Sequence, residues 1–347
     1  MDALAIRSSI FQVLAGPQLA AMLYTSLELK LPELLTSPKS IEYLSVKTQT
    51  VLEKLERTLH ALEAFGFFSY DSESGQWSNS QLSAALLDES LSSIAKYCIM
   101  PYKCEVLCNF SESLTQEKSA HELLFGCRYV EGLKRRQKPF EIYQKAMAGW
   151  TNFDGKDRID VELNDFWRVL DVGGGDGTLL IDLAHAYPTI SGTIFDIPES
   201  QALIDENIEK NGLQGRLDSA AGSFFETIPK GYDCILIKNT LIDWNDRDCR
   251  KILDNCRKVL DAGAQLRWID CVMDRHDQHD LWGVILDMNM MASGNGRVRT
   301  KEQIEKLLYE TGFRFDSISP STKKRKGNTS SSLAPSAKHC IINATAI

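Results

Sequence analysis

The sequence predicts an α/β protein preceded by a separate helical domain, and three observations support this fold class. Up to about residue 150 the apolar residues recur at helical spacing. From about Phe166 onward, strand-like runs alternate with amphipathic helices, and a glycine-rich turn at 173–177 joins a buried strand to a helix. Such alternation produces right-handed βαβ units and a parallel sheet covered by helices on both faces. We therefore predict an N-terminal domain at 1–150 and a C-terminal domain at 151–347.

The N-terminal domain has the outline of a winged helix. Amphipathic segments at Ile10–Leu35 and Val51–Leu62 are typical of helices. Short strand-like runs at 67–70 and 76–78 flank a polar turn and predict a hairpin directly after the second segment. Winged helices bind DNA or mediate dimerisation, and the chain lacks the Arg/Lys-rich recognition helix that DNA binding requires. We therefore predict that this all-helical, winged-helix domain mediates dimerisation, with the hairpin as its wing.

The C-terminal domain carries five strand-like runs with helices between them. Two clear amphipathic helices are predicted at Asp246–Leu260 and Thr300–Thr311. The low-complexity stretch Pro320–Ser336, rich in Ser and Lys, predicts a flexible surface loop before the last strand. The five predicted strands are Trp167–Val172, Gly192–Phe195, Cys234–Ile237, Gln265–Ile269 and Cys340–Ala344.

Composition and charge argue against several classes of protein. The 347 residues include 39 Lys and Arg against 47 Asp and Glu, and the net charge of −8 disfavours binding to nucleic acid. No apolar run approaches the roughly 20 residues that a membrane span needs, and we expect no export because no basic region is followed by an apolar stretch and a small-residue cleavage site. Nine cysteines occur without a Cys-x-x-Cys pair, so neither a zinc site nor a dithiol redox centre is indicated. We expect a cytoplasmic protein with reduced thiols, no metal ion and no membrane partner.

The segment Asp171–Gly177 reads Asp-x-Gly-x-Gly-x-Gly and follows a buried strand. Glycines at such a turn let the backbone approach a ligand closely, and the helix that follows offers unpaired N–H groups. Nicotinamide and flavin proteins use a related motif, but three details differ here. Gly177 falls one residue early, Asp171 would repel a pyrophosphate yet can receive an ammonium group, and Asp196 ends the next strand, where it can accept ribose hydroxyls. These details predict S-adenosyl-L-methionine as the cofactor.

Five segments outside the glycine turn carry a family resemblance. They are Leu27–Leu35, Leu55–Gly66, Tyr143–Gly149, Gly222–Phe225 and Lys238–Trp244. Together with the turn they resemble the small-molecule, S-adenosylmethionine-dependent O-methyltransferases, a family that includes plant caffeic-acid and isoflavone enzymes and bacterial enzymes of specialised metabolism. The resemblance extends over nearly the whole chain. It implies a class I methyltransferase fold, with a Rossmann-like sheet and a winged-helix dimerisation domain, working as a homodimer on a small-molecule substrate.

This resemblance also implies particular contacts to the cofactor and the acceptor. Lys238 and Trp244 would frame the adenosine, although Trp244 is equally well explained as part of the hydrophobic core. The implied cofactor contacts are Asp171, Gly173, Gly175, Asp196, Ile197, Ser223, Phe224, Lys238 and Trp244. The implied acceptor-pocket residues are Met147, Ile242, Asn289 and Met290. Methionines at helical spacing are also common in protein cores, so core packing is the alternative for Met290.

The chain departs from the family pattern where a catalytic base is expected. The family's general base is a His directly before Asp-Trp, and Ile242 stands at that position. Two acids orient this His in the family; one position reads Asp270, which can retain a catalytic role, and the other, within Gly296–Arg299, has lost its acid. An aliphatic side chain cannot accept the proton of a phenol. Ser223 also replaces an Asp that contacts the adenine amino group, where a neutral hydrogen bond can still form.

Three explanations fit the missing base. In the leading hypothesis the acceptor is a sulfur, nitrogen or carbon nucleophile, or an oxygen already ionised, for which positioning and desolvation suffice. Alternatively the chain retains the cofactor without methylating, as a pericyclase-like or hydroxylase-like enzyme of specialised metabolism. Thirdly, His276 or His279, in a stretch rich in His and Asp, serves as a surrogate base or a metal ligand. A non-enzymatic, cofactor-sensing DNA regulator would need the basic recognition helix that is absent.

Overall fold

The computed structural model describes residues 3–155, 161–165, 167–274, 280–321 and 339–347. Contacts within the chain divide it into two compact units. One comprises Met1–Asn109 and Tyr129–Lys156, and the other comprises Phe110–Arg128 and Asp157–Ile347. The segment 110–128 therefore packs with the C-terminal unit. The functional division at residue 150 stays a prediction.

The N-terminal unit consists of helices and one hairpin, as predicted. Its first eight helices are α1 (Ala3–Leu14), α2 (Gly16–Glu28), α3 (Leu31–Leu34), α4 (Ile41–Thr48), α5 (Leu52–Ala64), α6 (Gln81–Ala85), α7 (Glu89–Ile99) and α8 (Pro101–Cys108). Helices α9 (Phe110–Ser113) and α10 (Ala120–Phe125) belong to the other unit, whereas α11 (Tyr129–Lys134) and α12 (Gln137–Gly155) complete the first. Strands β1 (Ser69–Asp71) and β2 (Gln76–Ser78) pair antiparallel directly after α5.

The hairpin is held by the apolar face of α5. Helix α5 buries Leu55, Leu59 and Leu62, which recur at helical spacing. Trp77 of β2 is fully buried and packs in the same core. Burial of one large apolar side chain stabilises the fold by about 2–3 kcal/mol, so these four residues account for the local order of the helix and hairpin.

The C-terminal unit contains a seven-stranded sheet with the order β5-β4-β3-β6-β7-β9-β8. Its strands are β3 (Arg168–Val172), β4 (Ser191–Asp196), β5 (Leu217–Ala221), β6 (Cys234–Lys238), β7 (Gln265–Cys271), β8 (Phe313–Pro320) and β9 (His339–Ala346). Strands β3 to β7 are parallel, but β9 runs antiparallel to both β7 and β8. The prediction of a parallel sheet is therefore wrong at this edge, where β8 and β9, consecutive in the chain, pair directly in opposite directions as the strands of a hairpin do.

Two strands, β5 and β8, were not predicted. Both are outermost in the sheet, and most of their side chains are exposed or half-buried. Edge strands of this kind lack the continuous apolar run that identifies a central parallel strand. Pro320, predicted to begin a surface loop, is instead the last residue of β8 and pairs with Cys340. Most of the predicted loop, from residue 322 onward, lies outside the described residues.

Five further helices belong to this unit, and four of them pack on the two faces of the sheet. The five helices are α13 (Thr178–Ala186), α14 (Gln201–Lys210), α15 (Asp246–Val259), α16 (Leu281–Gly294) and α17 (Lys301–Glu310). Two neighbouring residues of β7 pack in different hydrophobic cores, Trp268 on one face of the sheet and Ile269 on the other. Since parallel strands end at one edge of a sheet, the residues that follow β3, β4 and β6 collect at the carboxyl edge, where ligands of such folds bind.

Candidate active site

The glycine-rich turn after β3 has no room for side chains at three of its positions, and at Gly173 a Cβ atom would lie 2.7 Å from Thr240 Oγ1. At Gly174 a Cβ atom would lie 2.7 Å from Ile194 Cγ2. At Gly177, where φ is +83°, a Cβ atom would lie 2.8 Å from Ile194 Cδ1. Gly177 is also the residue before α13, so the turn leads directly to a helix N-terminus, which favours polar ligand groups. The turn is therefore a close-packed cradle rather than a loose loop.

Asp196 lies against this turn at the end of β4. Its Oδ2 accepts a hydrogen bond from the Gly175 amide at 2.8 Å, and its Oδ1 accepts bonds from the Ile197 amide at 2.7 Å and the Ser200 hydroxyl at 3.2 Å. The carboxylate is thus fixed beside the turn while remaining partly accessible. A carboxylate has about four acceptor positions, so this group can still accept ribose hydroxyls.

Asp171 is the buried acid of the turn. Its side chain is 1% exposed, and its Oδ2 has no hydrogen-bond partner within the described ranges. Burial raises the pKa of Asp171 to about 7, with the Lys238 ammonium opposing this rise and Asp196 and Asp176 adding to it. A buried carboxylate oxygen without a partner is a strong site for a cation. The amino group of the methionine moiety fits this requirement, whereas a pyrophosphate does not.

The raised pKa of Asp171 predicts a pH-dependent stability. Because the pKa rises from 3.8 to about 7, ionisation destabilises the folded chain, and the free energy of unfolding falls as the pH increases through this window. A tenfold change in an acid dissociation constant corresponds to a free energy of about 1.4 kcal/mol. Urea unfolding of the cofactor-free protein should therefore show Asp171→Asn gaining stability over the wild type at pH 8 but little at pH 4.

The same substitution should weaken S-adenosylmethionine binding, since the cation loses its counter-charge. Asp182→Asn, which removes an exposed carboxylate from the adjacent helix α13, is the matched control and should change neither quantity. Equal pH dependence of unfolding in the Asp171→Asn variant and the wild type would show that Asp171 is not the titrating group.

Residues after β5 and β6 form an aromatic group beside the turn. The ring of Trp244 contacts those of Phe224 and Phe225 edge-on, with centroids 5.9 and 4.6 Å apart. The Ser223 hydroxyl accepts a hydrogen bond from the Phe225 amide at 3.3 Å. The Arg128 guanidinium lies 4.9 Å from the centroid of the Trp244 ring. The structure therefore brings Ser223, Phe224 and Trp244 together, and Trp244 packs against the core as well.

Ile242 belongs to a buried apolar cluster at the end of the sheet. The cluster contains Ile242, Cys271, Met273 and Val298, each less than 9% exposed, with Leu286 and Met290 packed against it. Val298 is the residue of Gly296–Arg299 that the family resemblance aligns with the second acid, so the two positions predicted to have lost the base and its acid are in one cluster. Asn289 lies on α16 beside Met290, and Met147 lies on α12 of the other unit.

Asp270 uses both of its oxygens within the protein. Oδ2 accepts a hydrogen bond from Trp268 Nε1 at 3.1 Å, and Oδ1 accepts one from the Cys271 amide at 3.0 Å. A further bond from the Ile242 backbone ties this carboxylate to the segment that carries Ile242. Burial raises the pKa of Asp270 to about 6, against these hydrogen bonds and the charge of Arg299. The Asp270 carboxyl group therefore holds the segment that carries Ile242 in place.

Arg299 fixes the same loop from its other side, a role that the sequence analysis did not assign. Its side chain is 2% exposed; its guanidinium donates to the Leu241 carbonyl at 2.9 Å, to the Trp244 carbonyl at 2.7 Å and to Asp246 Oδ1 at 2.9–3.0 Å. Arg297 pairs with the same Asp246 at 3.2 Å but is 35% exposed. An arginine in a polar tetrapeptide gives no signal of burial, which depends on how the loop packs.

We expect Arg299→Met to lower the free energy of unfolding by about 3 kcal/mol, because the buried Leu241 and Trp244 carbonyl groups lose their charged donor and keep only weaker bonds, from the Trp244 amide and the Cys249 thiol. Arg297→Met removes an equivalent arginine from the same carboxylate and should cost less than about 1 kcal/mol, because the lost pair is solvent-exposed. Urea denaturation of the two variants measures the difference. Similar losses would show that Asp246 alone determines the effect.

The sequence also led to expectations about two histidines, metal ions and membrane spans. His276 and His279, proposed as surrogate bases, lie outside the described residues. Within the described ranges no group of His, Cys, Asp and Glu side chains is arranged to hold a metal ion. No helix among those same residues is long and apolar enough to cross a membrane.

The fold and the cradle of Asp171, Asp196 and the glycine turn define a class I methyltransferase that uses S-adenosylmethionine. Residues 109–314 match the family model of the O-methyltransferase domain, and the chain belongs to this family. The family, the fold class, the cofactor and the enzyme class that the sequence predicted are thereby confirmed.

Relatives and solved structures agree with this assignment. Phenazine O-methyltransferase PhzM from Lysobacter antibioticus is 25% identical over 322 residues, which are 92% of this chain and 94% of that protein. The structure of mitomycin 7-O-methyltransferase MmcR is 23% identical and superposes with a TM-score of 0.87 over 99% of this chain and 98% of its own. A third comparison is with the structure of N,N-8-amino-8-demethyl-D-riboflavin dimethyltransferase (RosA) from Streptomyces davawensis. It is also 23% identical and superposes with a TM-score of 0.75 over 100% of both chains. These structural likenesses show a shared fold.

Proposed function

We propose that the enzyme transfers the methyl group of S-adenosylmethionine to a small-molecule nucleophile that needs no general base. Such a nucleophile is a sulfur, nitrogen or carbon atom, or an oxygen that arrives ionised. The observation that supports this most is the burial of Ile242 and Val298 in one apolar cluster. An imidazole and its orienting acid would stand at these two positions in the family, and neither group is present to accept a proton.

The residues of this chain would bind and orient the cofactor and the acceptor, and the acceptor's own lone pair would attack the methyl carbon. When bound, S-adenosylmethionine supplies an electrophilic methyl group on a sulfonium centre. Asp171 would receive the ammonium group and Asp196 the ribose hydroxyls. The apolar cluster around Ile242 would exclude water from the acceptor, which favours a neutral nucleophile and a short, in-line approach.

Further cofactor contacts are proposed on the same geometry. Gly175, where an added Cβ atom would meet no protein atom, would admit the ligand to the turn, and Gly173, packed against Thr240, would contact it through its backbone. Ile197, 43% exposed beside Asp196, would cover the adenosine. Ser223, Phe224 and Trp244 lie together where an adenine ring would fit, with Lys238 near Asp171. The acceptor would contact Ile242, Asn289 and Met290, and Met147 on α12 stays a predicted acceptor contact.

The amine chemistry named for one neighbour supports this proposal. RosA is named as a dimethyltransferase of an amino-riboflavin, so the shared fold accommodates methylation of nitrogen. The other two proteins compared above are named as O-methyltransferases, and an acidic hydroxyl that arrives ionised would remain compatible with an apolar acceptor site. We expect this enzyme to act in specialised metabolism.

A homodimer would form through the N-terminal domain. Four side chains of α1, namely Ile10, Phe11, Val13 and Leu14, are between 54% and 77% exposed. A run of apolar residues left in water is typical of an interface with another chain. We propose a second copy of this chain as that partner.

A second candidate function is a cofactor-retaining enzyme that does not methylate, of pericyclase or hydroxylase type. It is favoured by an intact cofactor cradle next to altered base and acid positions. Incubation with methyl-labelled S-adenosylmethionine and a panel of thioether, amine and phenol acceptors separates the two. We expect S-adenosylhomocysteine with a thioether or amine. Tight cofactor binding without S-adenosylhomocysteine from any acceptor would favour the second candidate.

A further inference from the structure

A histidine that the sequence analysis did not consider lies at the carboxyl edge of the sheet. His339 is the first residue of β9, and because β9 runs antiparallel to β7 it is brought to the edge where β3 and β6 end. Its register partner on β7 is Cys271, a member of the apolar cluster that contains Ile242. Directly opposed residues have Cβ atoms about 5 Å apart, so the imidazole borders this cluster.

Asn239 fixes the tautomer of His339. The His339 Nε2 atom lies 2.6 Å from Asn239 Oδ1, and an amide oxygen can only accept, so Nε2 carries the hydrogen and Nδ1 keeps its lone pair. Asn239 is itself held in the left-handed region, with φ at 51°, by its amide donating to the Ile269 carbonyl at 3.0 Å. Such a conformation persists only where surrounding structure enforces it. Nδ1 has no hydrogen-bond partner among the residues that the structure describes.

Burial and the nearby charge of Lys238 keep the ring of His339 neutral. Burial by the surrounding protein, and then the Lys238 ammonium, lower the pKa of His339 to about 4. At neutral pH the ring is therefore an acceptor at Nδ1 and a weak base. Lys238 can only donate hydrogen bonds, and the side chains of the cluster around Ile242 offer no strong acceptor. His339 is therefore a neutral acceptor group at this end of the site.

We propose that His339 binds the methyl acceptor, with Nδ1 accepting a hydrogen bond from an N–H group of an aromatic amine. This inference rests on the proposed function and narrows it. An alkylamine, with a pKa near that of lysine, is protonated at neutral pH and would be repelled by Lys238. An aromatic amine is neutral, and a bond from one N–H to Nδ1 would orient its lone pair. The nitrogen–carbon bond would form as the sulfur–carbon bond breaks, the sulfur would keep that electron pair, and the extra proton would leave to solvent.

Two variants separate acceptor binding from a structural role. His339→Asn keeps an acceptor near the position of Nδ1, whereas His339→Gln keeps a donor that reaches Asn239 and carries its amide oxygen one bond farther out than Nδ1. The probes are 1-naphthylamine, N,N-dimethyl-1-naphthylamine and 1-(methylthio)naphthalene, which share one ring system, and only the first has N–H groups. Their binding to protein saturated with S-adenosylhomocysteine is measured by calorimetry, and an unchanged affinity for S-adenosylhomocysteine shows that each variant is folded.

We expect the wild type to bind 1-naphthylamine about tenfold more tightly than the other two probes, the value of one hydrogen bond. His339→Gln should lose this preference, and His339→Asn should retain most of it. Equal binding of the three probes, no binding of any, or retention in His339→Gln with loss in His339→Asn would overturn the inference. Methyl transfer is measured in a separate assay. If the preference for 1-naphthylamine depends on His339 but no S-adenosylhomocysteine forms, the proposed function alone is refuted. If the thioether is methylated but the preference for 1-naphthylamine is absent, the inference alone is refuted.

Discussion

The double variant Ile242→His/Val298→Glu should methylate simple phenols that the wild type leaves unreacted. Both positions lie in one buried cluster, so the new imidazole and carboxylate would be close enough to form a hydrogen-bonded pair. Asp270 already binds the backbone of residue 242 and would limit movement of the new base. A positioned general base contributes about 10²–10⁴-fold to a rate. We expect an increase of at least about 100-fold in kcat/KM for 1-naphthol.

The matched control is Ile242→Asn/Val298→Gln, which introduces similar polarity and size without a group that accepts a proton at neutral pH. It should leave phenol methylation at the wild-type level. Ile242→His alone should give a smaller gain, because the imidazole lacks its orienting partner. If the Asn/Gln variant gained as much as the His/Glu variant, polarity rather than the base would be the missing property.

Gly175→Ala should abolish most cofactor binding although the protein has room for the methyl group. A Cβ atom at Gly175 would meet no protein atom within 4 Å, and its φ is +62°. In our account the cofactor occupies this open space, so the added carbon would collide with it. We expect the affinity for S-adenosylmethionine to fall by about 100-fold, because a ligand packed against glycine backbone cannot yield.

Gly212→Ala is a close control for backbone strain. Gly212 has φ of +66° and likewise no atom within 4 Å of an added Cβ, but it lies after α14, away from the turn. Both variants should lose a similar free energy of unfolding, about 1–2 kcal/mol, from placing Ala in the left-handed region. Only Gly175→Ala should lose cofactor binding in calorimetry. Equal cofactor affinities in the two variants would place the ligand elsewhere.

Much of the C-terminal fold was predictable because its signals are local. Central strands such as Cys234–Lys238 are buried on both faces and appear as continuous apolar runs, and the turn at 173–177 follows such a strand directly. The edge strands β5 and β8 lack that signal because water covers much of their surface. The direction of β9 depends on its pairing with β7 and β8, which no local pattern encodes.

The candidate site was predictable only in part for the same reason. Asp171 and Asp196 lie at the carboxyl ends of two strands, at a spacing that identifies them within the sequence itself. The apolar cluster shared by Ile242 and Val298 and the position of His339 beside Asn239 join segments far apart in the chain. Distances of this kind come from sheet register and loop packing, which the sequence expresses only through the whole fold.

The solvent isotope effect on methyl transfer tests the central claim most directly. Single-turnover rates are measured in H2O and D2O, at the plateau of the pH profile, with the best acceptor from the thioether and amine panel. If no general base removes a proton as the methyl group moves, the ratio of the two rates should be about 1. A ratio of about 2 or more would contradict the account, since it would require a proton to be in transfer during the same step.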